Sequence, residues 1–216
     1  MMKEMAFDTK VTPLRKLKKP NIVHYYKFLS EVMKDSKTKF IIAGGAVRDE
    51  INSDRGWGTK DIDVFISTKL TDLRLNILKK YGTYTIKDTE YAGFYVINFK
   101  FHENMGLSFN VPSHIPIQFI YNNDTGDPLQ FNDVEHFALF TIRNFDWHIN
   151  ACAFDGKNII QLVPVNGYSD VLYLVNPKYN PLTALYRGLK FKDRFNMVLD
   201  MVSMKTLCQK IAELDE

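Results

Sequence analysis

Apolar and polar positions along the chain alternate between two periods, broken by Gly, Pro, Asn and Ser. Ile22, Leu29, Val32 and Met33 recur at helical spacing behind Pro20 and Asn21. They predict a first helix with Asn21 as its cap. The run KFIIA, 39–43, reads as a strand that stops at Gly44-Gly45, and the first helix is expected to pack beside it. A short helix is predicted over 45–52, a loop over SDRGWGTK, 53–60, and a strand over DIDVFIS, 61–67. TDLRLNILKK, 71–80, reads as a helix with Leu73 and Ile77 inward. Residues 91–101 and 115–121 are rich in aromatic and β-branched side chains and read as strands, the first of them as core. A polar loop spans 122–130. A helix over 133–141 turns Val134, Phe137 and either Leu139 or Phe140 inward. Residues 148–154 and NIIQLV form two strands joined at Asp155-Gly156, a hairpin signal. Two helices close the chain, over 181–196 and 199–213. No internal repeat or low-complexity tract is present. The order predicts an α/β (α+β) fold, a mixed sheet with helices on one side.

Composition narrows this picture. The 216 residues fit one domain, and 45% hydrophobic content supplies a sizeable core. No apolar stretch is long enough to span a membrane. The N-terminus lacks the apolar region of a signal peptide, and Cys152 and Cys208 lack metal-ligand spacing. A cytoplasmic location is expected, in a bacterium or in the host of a phage. The abundance of Lys, Asn, Tyr, Phe and Ile suggests an AT-rich genome. A net charge of +3 excludes a bulk nucleic-acid coat, so any RNA contact needs a local patch. One candidate is the basic, irregular arm expected over 1–20, with Lys16, Lys18 and Lys19. The favoured reading of this arm is a solvated tail. His24, His102, His114 and His136 form no cluster with ligand spacing.

The candidate chemistry lies between Phe40 and Ser67. Asp61 and Asp63 are two apart, so on a strand they share a face. Two carboxylates on one face repel unless a cation sits between them, and the pair reads as a magnesium site. Gly44 and Gly45 let backbone N–H groups come close to a phosphate at the start of a helix. A phosphate seat beside a metal seat suits nucleotidyl transfer. Trp57, in the loop, is a candidate for stacking on a base or for packing on the surface.

Gly44-Gly45-Ala46-Val47-Arg48-Asp49 followed by Asp61-Ile62-Asp63 resembles the nucleotidyltransferase superfamily of DNA polymerase beta-like proteins. Within it, the segment is similar to the head domain of poly(A) polymerases and tRNA CCA-adding enzymes. FDWHINACAFD, Phe145 to Asp155, resembles that family's second motif. Asp146 falls on its acid, and Ile149, Asn150 and Ala151 match directly. Asn144 and Phe145 stand where the family has two arginines, and Arg143 lies one residue upstream. His148, where the family has a threonine, reads as an ordinary strand residue. NPLTALYRGLKFKDRF, Asn180 to Phe195, resembles a third family segment, with Arg187, Lys190 and Arg194 spaced to share one helical face.

The resemblance implies a catalytic domain over 21–176 and a helical, neck-like extension over 177–216. It implies Mg2+ held by Asp61 and Asp63, an NTP (ATP or CTP) as substrate, and an RNA or tRNA-like 3′ end as acceptor. It places Gly44, Gly45, Arg48, Asp49, Asn150, Arg187 and Lys190 around the nucleotide. Arg48 and Asp49 read equally as a structural ion pair. The strand that matches the family's third carboxylate, IPIQFIY, offers Gln118, an amide that cannot act as a base, so the third catalytic carboxylate is either Asp146 or absent. In the family a tRNA-gripping body follows the neck. Its absence after the last helix makes a compensating protein partner an expectation. Transfer to a protein or small molecule, and a non-catalytic nucleotide- or RNA-binding role, remain the rival readings.

Overall fold

Strand β2 (Phe40–Ala43) pairs antiparallel with β3 (Ile62–Ile66) at the middle of an eight-stranded mixed sheet. In the computed structural model the described residues are 5–14, 21–52, 59–89, 94–122, 131–176 and 180–214. Along the sheet the order is β1 (Phe7–Pro13), β8 (Asn158–Pro164), β7 (Cys152–Phe154), β2, β3, β6 (Ile117–Asn122), β5 (Phe94–Phe101) and β4 (Gly82–Thr89). β3 and β6 run parallel and the other neighbours antiparallel.

Each strand sends alternate residues to opposite faces. One face is covered by α1 (Ile22–Val32), α2 (Gly45–Ile51) and α3 (Asp72–Tyr81). There Tyr25, Phe28 and Leu29 of α1, Val47 of α2 and Leu78 of α3 are sealed against Ile42, Val64, Phe99 and Phe119. The other face receives α4 (Val134–Arg143), whose Phe137, Ala138 and Ile142 pack on Ile41, Ala43, Ala153 and Ile160. Helices therefore cover both faces, not one as the sequence suggested. α5 (Pro181–Phe195) and α6 (Met201–Ala212) close around Trp147, together with Leu172 of a short parallel pair, β9 (Val171–Leu172) and β10 (Val198–Leu199).

Several local expectations are corrected. Residues 7–13 are not irregular but an edge strand, aligned from Phe7 opposite Pro164 to Pro13 opposite Asn158. Gly82–Thr89 is a further strand that the pattern did not announce. Leu73 is exposed at 63%, and α3 buries Leu75, Leu78 and Arg74, which donates to the Val32 carbonyl at 3.1 Å. Residues 148–150 form a 3-10 turn, with the strand confined to Cys152–Phe154. In α4 the expected Val134 and Phe137 face inward, and of the two alternatives it is Leu139 that packs on the core while Phe140 is exposed. Asn21 stands at the start of α1 without capping it by its side chain. Oε1 of the buried Glu50 accepts the Ile22 N–H instead, at 3.0 Å. Trp57, Lys16, Lys18 and Lys19 lie outside the described residues. Among those described, no helix is long and apolar enough to cross a membrane.

Candidate functional site

The centre of the site is the end of β2. Gly44 adopts φ +77°, a region that favours glycine, and its N–H donates to the Cys152 carbonyl at 2.9 Å. A Cβ at Gly44 would lie 3.6 Å from Oδ2 of Asp63 and 3.4 Å from the Phe145 ring. The bare backbone thus lets a carboxylate and an aromatic ring close in on the start of α2 from two sides.

Asp63 lies in register with Ala43 on β2 and Gln118 on β6, and Gln118 lies opposite Asn98 on β5. The face that carries Asp63 is therefore the α4 face of the sheet. Asp61 precedes the strand and is exposed, while Asp63 is half-buried. The two are close enough to interact. Burial, then the Asp61 charge, push the Asp63 carboxyl up to about 7, and Arg187 pulls it back down. A carboxyl held that high by its surroundings is one that a cation would ionise. Two hard oxygen donors with this electrostatic deficit fit magnesium.

Asp146 lies at the other side of Arg187. Its Oδ2 is 3.2 Å from Arg187 Nη1, and its Oδ1 accepts the Trp147 N–H at 2.9 Å. Burial raises the Asp146 pKa, against Arg187 and the Trp147 N–H. Among the described residues no three His, Cys, Asp or Glu side chains converge in a way that could hold a metal ion. Asp61 and Asp63 are thus brought together as a pair. Asp146 is tied to the same arginine that acts on Asp63, and Gln118 occupies the neighbouring strand position.

Arg48, Asp49 and Asn150 form a closed network beside this pair. Arg48 is 5% exposed. Its Nε and Nη2 donate to Oδ1 of Asp49 at 2.9 and 2.7 Å, and its Nη1 donates to Oδ1 of Asn150 at 2.7 Å. The guanidinium also lies 4.8 Å from the Phe195 ring centre. Oδ2 of Asp49 accepts from the Thr59 hydroxyl at 3.1 Å and lies 3.9 Å from Nη2 of Arg194. This network joins α2 to the 148–150 turn and to the end of α5. Gly45 sits beside it, its Cβ position 3.6 Å from Arg48 Nη2.

On α5, Arg187 reaches Asp146 and Arg194 reaches Asp49, while Lys190 is exposed. Arg143 ends α4 and is exposed too. His148 is structural. Its Nδ1 accepts the Tyr173 N–H at 3.1 Å, and burial pushes its pKa down to about 4. The sequence reading overlooked Glu50 as a cap and Trp147 as the anchor of α5. The one signal for the second was Gly188, a mid-helix glycine of the kind that marks close packing.

No protein-family model matches the chain, and no curated protein does. Solved structures match its fold. The chain is similar to the Thermotoga maritima CCA-adding enzyme complexed with tRNA, with a TM-score of 0.65 and 16% identity over 94% of this chain and 46% of that one. It is similar to a CCA-adding enzyme with CTP, at TM-score 0.62 and 17% identity over 94% and 47%. It is similar also to a tRNA nucleotidyltransferase complexed with a primer tRNA and an incoming ATP analog, at 0.54 and 18% over 85% and 50%. The chain spans about half the length of these structures. Its fold is that of a nucleotidyltransferase head domain.

Proposed function

We propose that the chain transfers a nucleoside monophosphate from ATP or CTP to a hydroxyl at an RNA 3′ end, releasing pyrophosphate. The observation that carries this reading is the placement of Asp63. It lies on a central strand, next to Asp61, at the bare Gly44 backbone and within electrostatic reach of Arg187. The CTP, ATP-analog and tRNA complexes of the similar structures support the substrate classes.

Phosphoryl transfer depends on positioning and on neutralising charge. Asp61 and Asp63 would hold Mg2+, which when bound supplies Lewis-acid activation of the hydroxyl and of the leaving pyrophosphate. Arg187, whose side chain is 39% exposed, would turn its guanidinium charge towards the triphosphate. Gly44 keeps side chains away from the point where the phosphates approach. The Arg48–Asp49–Asn150 network holds the start of α2 and the second motif in fixed relation, a positioning role. Lys190, exposed on the same helix, adds positive charge for the triphosphate or the RNA backbone.

The test is a transfer assay with magnesium and each α-labelled NTP, offered tRNA lacking its CCA end, unstructured RNA or a cell lysate. Label entering RNA, and lost in Asp61→Ala/Asp63→Ala, is the expected result. Label entering protein or a small molecule instead would replace the acceptor. One observation favours a second reading. Gln118, in register with Asp63, puts an amide where a third carboxylate would strengthen the site. A nucleotide-binding role without turnover would appear as NTP binding with no label transferred to any acceptor.

A further inference from the structure

The far ends of α2 and α5 meet over a cavity of about 900 Å³. α2 starts beside Asp63 and stops at Ile51, and Ile51 and Asn52 line the cavity. Arg194 to Met197, at the end of α5, line it from another side. Its volume falls in the roughly 300–1,000 Å³ range of small-molecule sites. The floor comes from β8. Ile160 and Leu162 belong to the core under α4, whereas Ile159 belongs to the core under α1 to α3. Gln161 and Val163, which line the cavity, therefore point to the α2 side. Asp63, in register with Ala43 of the α4 core, points to the other side. The cavity and the Asp63 carboxylate thus lie on opposite faces of the sheet, and the buried Arg48 forms part of the cavity wall.

Three polar groups of the lining keep bonding capacity. Nδ1 of His148 accepts the Tyr173 N–H at 3.1 Å, so the neutral ring carries its proton on Nε2. That Nε2–H has no hydrogen-bond partner among the described residues. The Arg194 side chain is 41% exposed, and Oδ2 of Asp49 lies 3.9 Å from its Nη2, too far for a hydrogen bond. Asp170, in the loop before β9, accepts the Val198 N–H with its backbone carbonyl and keeps an exposed carboxylate. Arg48 is already balanced by Asp49, so Arg194 and Asp170 are the charges that a ligand meets. Ile51, Ile149, Val163 and Met197 supply an apolar wall. An aliphatic ligand would leave both charges unused, and a bare anion would leave the carboxylate unpaired. A molecule with an oxyanion at one end and hydroxyls at the other uses all three groups. Imidazole and guanidinium donate to the oxyanion, and the carboxylate accepts from the hydroxyls, as acidic side chains do from ribose.

We propose that this cavity binds a phosphorylated sugar, free or as the ribose phosphate of a mononucleotide, with the phosphate against Arg194 and His148 and the hydroxyls against Asp170. The site is separate from the carboxylate pair and does not depend on the transfer reaction proposed above. It is joined to that region through Asp49, whose Oδ2 faces Arg194 and accepts from Thr59 while its Oδ1 holds Arg48. A phosphate on Arg194 competes with Asp49 for the same guanidinium, so occupancy bears on the network that fixes α2.

The experiment follows the ring nitrogens of His148 by NMR in 15N-histidine-labelled protein. The probes are ribose 5-phosphate, AMP, ribose and inorganic phosphate. The protein is tested unaltered, as Arg194→Gln and as Asp170→Asn, two exposed positions, and thermal unfolding confirms that each variant is folded. Ribose 5-phosphate or AMP is expected to shift the Nε2 signal saturably. It should bind on the order of tenfold or more tightly than ribose or inorganic phosphate. Arg194→Gln should lower that affinity to the level of ribose, and Asp170→Asn to the level of inorganic phosphate. Tighter binding of ribose 5-phosphate than of AMP identifies a free sugar phosphate, and the reverse a mononucleotide. No shift at His148 with any probe, or an affinity unchanged in Arg194→Gln, would overturn the site. Inorganic phosphate bound as tightly as ribose 5-phosphate would overturn the sugar. Asp61→Ala/Asp63→Ala should bind the probes as the unaltered protein does. Loss of binding in that variant would place the probes at the carboxylate pair and overturn this cavity as their seat, while the labelled-NTP assay tests the transfer reaction separately.

Discussion

Gly188 and Trp147 fit against each other with no room for a carbon atom between them. A Cβ on Gly188 would lie 2.4 Å from Cζ2 of Trp147, and the indole Nε1 donates to the Ala184 carbonyl at 2.7 Å. Trp147 follows Asp146 directly, so the same notch that seats the indole in α5 brings Arg187 of that helix to the Asp146 carboxylate. Gly188→Ala is expected to cost about 2 kcal/mol, because an enclosed indole cannot step aside. Urea unfolding measures that loss. If α5 then lifts away, nucleotide affinity falls with stability, and an unchanged unfolding midpoint would contradict the packing described.

The Asp63 carboxyl gives a pH signature. Its folded pKa, about 7, lies above the ordinary 3.8, so the folded state holds this proton more tightly than the unfolded one. That contribution is fully present below pH 4 and is lost as pH rises through 7. Asp63→Asn removes the loss, and at pH 8 without magnesium it is expected to be the more stable protein by roughly 2 kcal/mol. Magnesium should stabilise the unaltered protein at pH 8 and leave Asp63→Asn unmoved. Unfolding curves at pH 5 and pH 8, with and without the ion, report both effects.

His148 works in the opposite sense. Its folded pKa of about 4 lies below the ordinary 6.5, so the unfolded chain takes up a proton first as pH falls. Stability from the neutral, Tyr173-bonded ring is complete above 6.5 and declines through the window down to 4. Between pH 7 and pH 5 the loss is about 2 kcal/mol. His148→Asn keeps an acceptor for the Tyr173 N–H and cannot titrate. Its stability should change less over that interval, read by the difference between the two pH profiles.

Gln118→Asp restores a charge beside Asp63 on the neighbouring strand. Under the proposed reaction, the magnesium concentration for half-maximal transfer is expected to fall roughly tenfold. If Gln118→Asp leaves both magnesium response and rate unchanged, the adjacent register position takes no part in the metal site.

The parts of the fold that were legible in the sequence are those whose causes are local. Phe40–Ala43 and Ile62–Ile66 are apolar runs bounded by glycine or charge, and both are central strands. The Asp155-Gly156 turn lies where β7 meets β8. The edge strands escaped notice because Phe7–Pro13 is mostly exposed, so neither face imposes a period. The phase of α3 was misread because Arg74 is buried through a hydrogen bond to Val32, a contact that spans 42 residues. Glu50 caps a helix that begins 28 residues earlier, which no adjacent residue announces. In the site, the Asp61 and Asp63 pairing was legible from their two-residue spacing, although Asp61 stands just before the strand that carries Asp63. The enclosure of Arg48 by Asn150 and Phe195, and the meeting of Arg187 with Asp146, arise only when distant segments fold together.

The outermost pairing of the sheet has a consequence for how the molecule comes into being. β1 hydrogen-bonds to β8, Phe7 opposite Pro164, so this strand must wait for its partner until the rest of the sheet has been made. During that interval its backbone donors and acceptors are satisfied by water or by whatever strand comes near. When β8 emerges, it can pair with β7 through the short turn over residues 155–157 at once, whereas closing the loop back to β1 carries a larger entropy cost. The β7–β8 hairpin is thus expected to form before β1 docks, which makes this seam the last of the sheet to close.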